Sequence, residues 1–283
     1  MTTDAQVSWT LSGFGDEIDP DPRVQIAVLK ALGAQHIEVR SAWGVNVVDL
    51  SDEQLAELAS LLKDAGLGVS AVASPIGKVD ISLDPELEVR RLQRIIRVAH
   101  ALETPNIRIF SFFRGEGVPV ESTRDAVMTG LRLLADEAEK ERVTLLHENE
   151  KDIYGDTPER VLDLVETVAS PALRLAWDSA NFVQVGVAHP HDDGYAKLRP
   201  YLDYLQVKDA VAATGEVVPA GQGDGQVLQT VQALAADGYT GFASLEPHLA
   251  QAHALGGFSG PVAFGEAARA FAALLAEAGV STR

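Results

Sequence analysis

The sequence contains no cysteine. That excludes a disulfide framework, a thiolate nucleophile and a cysteine-ligated zinc site, and it is compatible with a reducing cytoplasm. No uncharged apolar run reaches the roughly 18 residues that a membrane-spanning helix needs. The opening residues, MTTDAQVSW, carry an aspartate and no basic-then-apolar leader, so export is not expected. Positive charge is also scarce: 23 Lys and Arg stand against 41 Asp and Glu, a formal net charge of −18 with no basic block. A protein that grips nucleic acid by its backbone needs the opposite surface. No GxGxxG follows the first strand-like segment, and the glycine-rich GEVVPAGQGDG at 215–225 lacks the spacing and GK[ST] ending of a phosphate loop. A cytoplasmic protein with a small-molecule partner, and neither nucleic acid nor membrane, is the expectation.

What is present is a regular alternation. The 283 residues are 46% hydrophobic, enough for a sizeable core in one large domain. Eight short, apolar, β-branched runs read as strands: 9–18, 36–40, 68–74, 106–113, 143–149, 173–178, 204–209 and 241–247. Such continuous runs suit parallel strands buried on both faces. Between them lie longer amphipathic segments. The first, 20–34, carries Val24, Val28, Leu29 and Leu32 at helical spacing. Ser51 and Gln54 form a capping-box pattern ahead of a helix that stops at Gly66, and Thr157 with Pro158 opens another. A βα unit repeated eight times predicts a (β/α)8 TIM barrel filling 1–283 as a single domain, after an N-terminal tail of about 1–8. The alternative is an open doubly wound sheet. The longest irregular stretches, 179–194 and 210–225, follow late strands, where barrel chemistry sits.

Polar residues gather at the carboxyl ends of the late strands: Glu148, Asp178, Gln206 with Lys208, and Glu246. A single carboxylate there reads equally well as a solvated strand end. Three converging on one mouth repel, so either one takes a proton or a cation neutralises them. Three carboxylates and an amide oxygen suit a hard divalent ion. His147 faces away from Glu148 and reads as a packed histidine. Glu150 is at the rim, Asn149 can hydrogen-bond a carboxylate, and Asp209 points away from Lys208 toward a structural role. Arg40, Lys78 and Arg114 at the ends of early strands either orient an oxygen-rich ligand or balance local charge. His248, two residues beyond Glu246, is a further substrate-side candidate. Glu17, Glu38 and Ser111 lie near the same strand ends.

The segments GFGDEI (13–18), IEVRSAWGVNV (37–47), SPIGK (74–78), HENEKDIYGDTPER (147–160), WDSANF (177–182), QVKDA (206–210) and SLEPHL (244–249) resemble the xylose-isomerase-like barrel superfamily over about 10–275. That group includes sugar isomerases and epimerases, inosose dehydratases and metal-dependent endonucleases. The resemblance implies one divalent ion, Mn2+ first with Mg2+ or Co2+ as alternatives, held by Glu148, Asp178, Gln206 and Glu246. Gln206 stands where the family writes histidine, and Asn181 where it often writes another. The loss of both, with the negative charge, argues against a nuclease. The implied activity is isomerisation or epimerisation of a keto sugar or cyclitol. Glu148 and Glu246 then serve as acid/base pair, supported by Arg40, Lys78, Arg114, Glu150, Asn181, Lys208 and His248. The same apparatus supports a dehydratase or β-eliminase acting on an inosose or 3-keto-glycoside, and a barrel that only binds sugar is the non-enzymatic alternative. The alanine-rich last helix either covers the barrel or adds a homo-oligomer contact.

Overall fold

A computed structural model describes residues 7–253 and 256–283. Its barrel strands are β1 (Ser8–Gly13), β2 (His36–Val39), β3 (Gly68–Ala73), β4 (Asn106–Ile109), β5 (Thr144–Glu148), β6 (Leu173–Asp178), β7 (Leu202–Val207) and β8 (Phe242–Leu245). All neighbours pair in parallel, and β8 returns to β1 with Gly13 opposite Leu245. The remaining gap, between β1 and β2, is bridged by a parallel pairing of Phe14 with Glu38. The result is the (β/α)8 barrel expected from the alternation. A short strand at Ser281–Thr282 pairs with Ser8–Trp9, an addition that no periodicity signalled. Of the expected N-terminal tail, residues 1–6 lie outside the described residues, and Ser8 already belongs to β1.

The helices are α1 (Pro22–Ala31), α2 (Asp52–Ala65), α3 (Pro85–Ala101), α4 (Arg124–Glu141), α5 (Pro158–Val168), α6 (Ser179–Gln184), α7 (Val227–Ala236) and α8 (Gly260–Glu277). Their ends obey local chemistry. Ser51 and Gln54 form the reciprocal capping box, and Gly66 closes α2 in the left-handed conformation. Thr157 caps α5, with Pro158 in its first turn. In α1 the buried face differs from the expected one: Gln25, Ile26 and Leu29 point inward while Val24 and Val28 are half-buried. Gln25 is accepted there because its amide donates to the Asp19 and Ser41 carbonyls. Among the described residues no helix is long and apolar enough to cross a membrane.

The barrel wall is asymmetric, contrary to the picture of strands apolar on both faces. Outward residues such as Leu145, Leu175, Leu205 and Leu245 join the main core beneath the helices. A small apolar set, Ala71, Leu146, Ala176 and Tyr204 with Phe242 packed against it, forms a separate cluster inside. Around it runs a buried polar chain. Ser12 and Ser70 hydroxyls lie 2.6 Å apart, Ser70 is 2.8 Å from the Tyr204 hydroxyl, and that hydroxyl donates to Glu38 Oε2 at 2.8 Å. Burial, outweighing Arg108, pushes the Glu38 carboxyl up to about 7.

Two expected strands are shorter than their apolar runs. β1 ends at Gly13 because Gly15–Glu17 turns as a 3-10 helix. β4 ends at Ile109, after which Phe112 takes a left-handed φ of 69°. The chain after β3 also needs one glycine. At Gly77, φ is 81° and a Cβ would stand 2.2 Å from the Phe110 carbonyl oxygen, so only glycine lets SPIGK fold back and lay Lys78 over the Phe110 ring.

Candidate metal centre

β5, β6 and β8 end on the same side of the barrel and deliver Glu148, Asp178 and Glu246. One carboxylate oxygen from each lies within 4.8 Å of the other two, and all three residues are buried. Gln206, on β7 opposite Asp178 and Ser244, is 1% exposed. Neither its Oε1 nor its Nε2 has a hydrogen-bond partner. A buried amide left unsatisfied on both atoms costs free energy; a cation at Oε1 and an acceptor on a bound ligand at Nε2 would recover it. Glu148 Oε2 and Asp178 Oδ2 meet cationic side chains, Arg108 at 3.1 Å and Lys208 at 2.7 Å. An all-oxygen set of three carboxylates and one amide therefore fits a hard divalent cation.

Neighbouring residues fix these carboxylates. Asn181 Nδ2 donates to Glu148 Oε1 at 3.0 Å and to the Asn149 carbonyl at 2.9 Å, while its backbone N–H donates to Asp178 Oδ1 at 3.0 Å. Asp178 thus caps α6 with one oxygen and keeps the other free of that task. Asn149 pairs with the Asp178 backbone through both ends of its amide, at 2.8 and 3.0 Å. Asn181 and Asn149 therefore act on the ligand candidates from behind them.

Cations share the space. Lys208 Nζ lies 2.7 Å from Asp178 Oδ2 and 3.1 Å from Glu246 Oε2. Arg40 is buried. Its Nε donates to Asp16 at 2.8 Å, its Nη2 to the Gly257 carbonyl at 2.8 Å, and its Nη1 stands 3.5 Å from Glu246 Oε1. His248 Nε2 is 3.2 Å from Glu246 Oε1. Burial opposes ionisation of Glu246, but Lys208, His248 and Arg40 outweigh it and hold that carboxyl well below its ordinary range. At Glu148 burial wins over Arg108, and the carboxyl rises to about 8. At Asp178 burial wins over Lys208, and the carboxyl rises to about 6.

Three early-strand candidates part company. Arg40 joins the cluster. Lys78 sits at its edge, 3.7 Å from Glu150 and 4.2 Å from the Phe110 ring centroid, and burial with nearby Arg108 lowers its basicity. Arg114 stays away: it donates to the Val118 carbonyl at 2.8 Å and lies 3.5 Å from Asp152. Asp209 is structural, as its direction on the strand implied. Its carboxylate accepts backbone N–H groups of Ala210, Gly221, Gly223 and Gly225 at 2.9–3.0 Å and so gathers the glycine-rich loop.

Sequence reasoning missed Arg108. Its Nε lies 3.1 Å from Glu148 Oε2, and its guanidinium packs 4.3 Å from the Phe110 centroid. The signal was a lone cation inside NIRIF: a buried strand has to pair such a charge. Arg108→Met should raise the Glu148 carboxyl further above its unfolded value of about 4.5. A raised carboxyl loses stability as pH climbs through its folded value, so chelator-treated wild type stops losing above about 8 while the variant continues. The gap should be small at pH 6 and reach about 2 kcal/mol at pH 9.5 by urea unfolding. A gap independent of pH would refute the pairing.

A family described as xylose isomerase-like TIM barrel matches residues 26–277 of the chain. Over 221 residues the chain is 29% identical to a 2-epi-5-epi-valiolone 7-phosphate 2-epimerase from an Actinoplanes strain, covering 76% of this chain and 78% of that protein. A probable 3-DHS dehydratase of petrobactin synthesis from Bacillus anthracis superposes with a TM-score of 0.72 at 18% identity, over 94% of this chain and 98% of that one. A barrel protein from Mycobacterium smegmatis solved in complex with magnesium gives 0.69 at 22% identity, over 96% and 97%. The two structural likenesses establish the fold.

Proposed function

The chain belongs to the xylose isomerase-like TIM barrel family, and from that premise we propose that it is a divalent-metal-dependent isomerase or epimerase of a carbonyl-bearing sugar or cyclitol. The observation that carries this reading is the convergence of Glu148, Asp178 and Glu246 beside the unsatisfied amide of Gln206. The epimerase relative is named for 2-epi-5-epi-valiolone 7-phosphate, and its coverage of this chain supports a phosphorylated, carbonyl-bearing substrate of that kind. Mn2+ or Mg2+ suits the oxygen donors.

When bound, the ion supplies positive charge beside the oxygens of the substrate's carbonyl and adjacent hydroxyl. The remaining work falls to the chain. Glu246, kept ionised by its cations, takes the proton from the carbon alpha to the carbonyl. Glu148, the other carboxylate of the pair, returns one to the other face. Lys208 and Arg40 keep Glu246 in place through its two oxygens. Asn181 orients Glu148. Lys78 at the rim meets an oxygen or phosphate of the substrate. If a leaving group sits β to the carbonyl, the same abstraction leads to elimination.

The test has two parts. Purified protein is assayed for bound metal, stripped and reloaded. It is then incubated in D2O with keto-cyclitols, ketoses and their phosphates. Metal-dependent deuterium at the alpha carbon of an intact epimer is the expected result. An unsaturated product assigns elimination instead. A protein that neither binds Mn2+ or Mg2+ nor exchanges any substrate proton sinks the proposal and leaves a binding barrel.

A further inference from the structure

A second group of ligand atoms stands beside the first and shares one residue with it. Glu17, Glu246 and His248 each offer an atom within 4.8 Å of the others. His248 Nε2 is 3.2 Å from Glu17 Oε1 and 3.2 Å from Glu246 Oε1. Donors bound at about 2.0–2.2 Å to one ion stand roughly 3.0–3.4 Å apart, so these two spacings, which also suit an ion pair, would admit a coordinated ion with little movement.

The hydrogen bonding leads to the same place. Glu17 is 0% exposed. Its Oε2 is committed, accepting the His248 backbone N–H at 2.8 Å and the Ser259 hydroxyl at 2.8 Å. Its Oε1 makes no hydrogen bond and has His248 Nε2, itself without one, as a polar neighbour at 3.2 Å. One carboxylate oxygen therefore holds residues 248 and 259, and the other faces the imidazole nitrogen. Ligating groups held from behind in this way are typical of metal shells.

We propose that Glu17, His248 and Glu246 hold a second divalent cation, with Glu246 shared between it and the ion at Glu148, Asp178 and Gln206. One imidazole and two carboxylates favour Zn2+, Co2+ or Mn2+, whereas the all-oxygen set takes Mg2+ as readily. The inference touches the proposed function only through Glu246.

The experiment counts ions. Full-length protein is stripped, loaded with Co2+ or Zn2+, freed of excess by gel filtration and measured by elemental analysis, with the Co2+ visible spectrum as a second readout. Wild type should retain two ions per chain, and Glu17→Gln, His248→Asn and Asp178→Asn should each retain one. Only the first two variants should lose the spectral component from an imidazole ligand. Asparagine is chosen because it tolerates the left-handed φ of 47° at residue 248, so His248→Asn decides the matter if Glu17→Gln does not fold. One ion in wild type, unaffected at Glu17 and His248, overturns the second site and leaves the first. One ion lost at Glu17 and His248 but kept in Asp178→Asn upholds the second site and sinks the metal assignment of the proposed function. No ion at all sinks both.

Discussion

Glu246→Gln should lower turnover about 10³-fold while leaving the folding midpoint within a few degrees. The substitution is isosteric and removes the carboxylate that Lys208 and Arg40 flank. Its partners retain other anchors: Lys208 keeps Asp178 at 2.7 Å, and Arg40 keeps Asp16 and the Gly257 carbonyl. The loss should therefore be chemical rather than structural. Deuterium wash-in at the alpha carbon reads the proton-abstraction step directly, and thermal melting controls for the fold. Glu148→Gln should behave differently. Abstraction at Glu246 survives, so exchange continues, but inversion stops because the opposite face has no donor. Exchange in Glu246→Gln within tenfold of wild type would place the base elsewhere.

The frame of this site was legible because strand ends in a barrel are topologically forced together. Glu148, Asp178, Gln206 and Glu246 needed only a correct count of βα units to become neighbours, and period-2 alternation separated Gln206 and Lys208 from Asp209 although the strand itself ends at Val207. Capping chemistry set helix ends almost to the residue, as at Ser51 and Thr157. The missed parts depend on tertiary pairing. Arg108 hides in an apolar run because its counter-charge, Glu148, is 40 positions away in sequence. Arg114 looks equivalent to Lys78 by position, but a local carbonyl and Asp152 hold it away from the cluster. The polar interior joining Ser12, Ser70, Tyr204 and Glu38 is invisible for the same reason. Each residue alone reads as a tolerated exception, and only the closed barrel satisfies them together.

His147 shows how far one step along a strand changes a residue's role. Glu148 enters the polar mouth, while His147 points outward, with Nε2 2.9 Å from the Ser111 hydroxyl and its ring packed where Gly155 leaves no room for a Cβ. Burial alone drives that imidazole down to about 3. The unfolded chain binds its proton near 6.5 and the folded protein does not, so the unfolded state gains protons first as pH falls. Stability contributed by His147 is complete above pH 6.5 and disappears progressively toward pH 3. Between pH 6.5 and 4.5 the loss is about 2–3 kcal/mol. The raised carboxyls Glu38, Glu148 and Asp178 run in the opposite direction, since they favour the folded protein at low pH. Comparing wild type with His147→Gln cancels them. Glutamine can keep a hydrogen bond to Ser111 but takes up no proton, so its stability at pH 7 should be modestly lower and its decline into acid shallower by about 2–3 kcal/mol. Urea unfolding at half-unit pH steps gives both curves, and parallel declines would mean that His147 is protonated in the folded protein and is not the sealed core residue described.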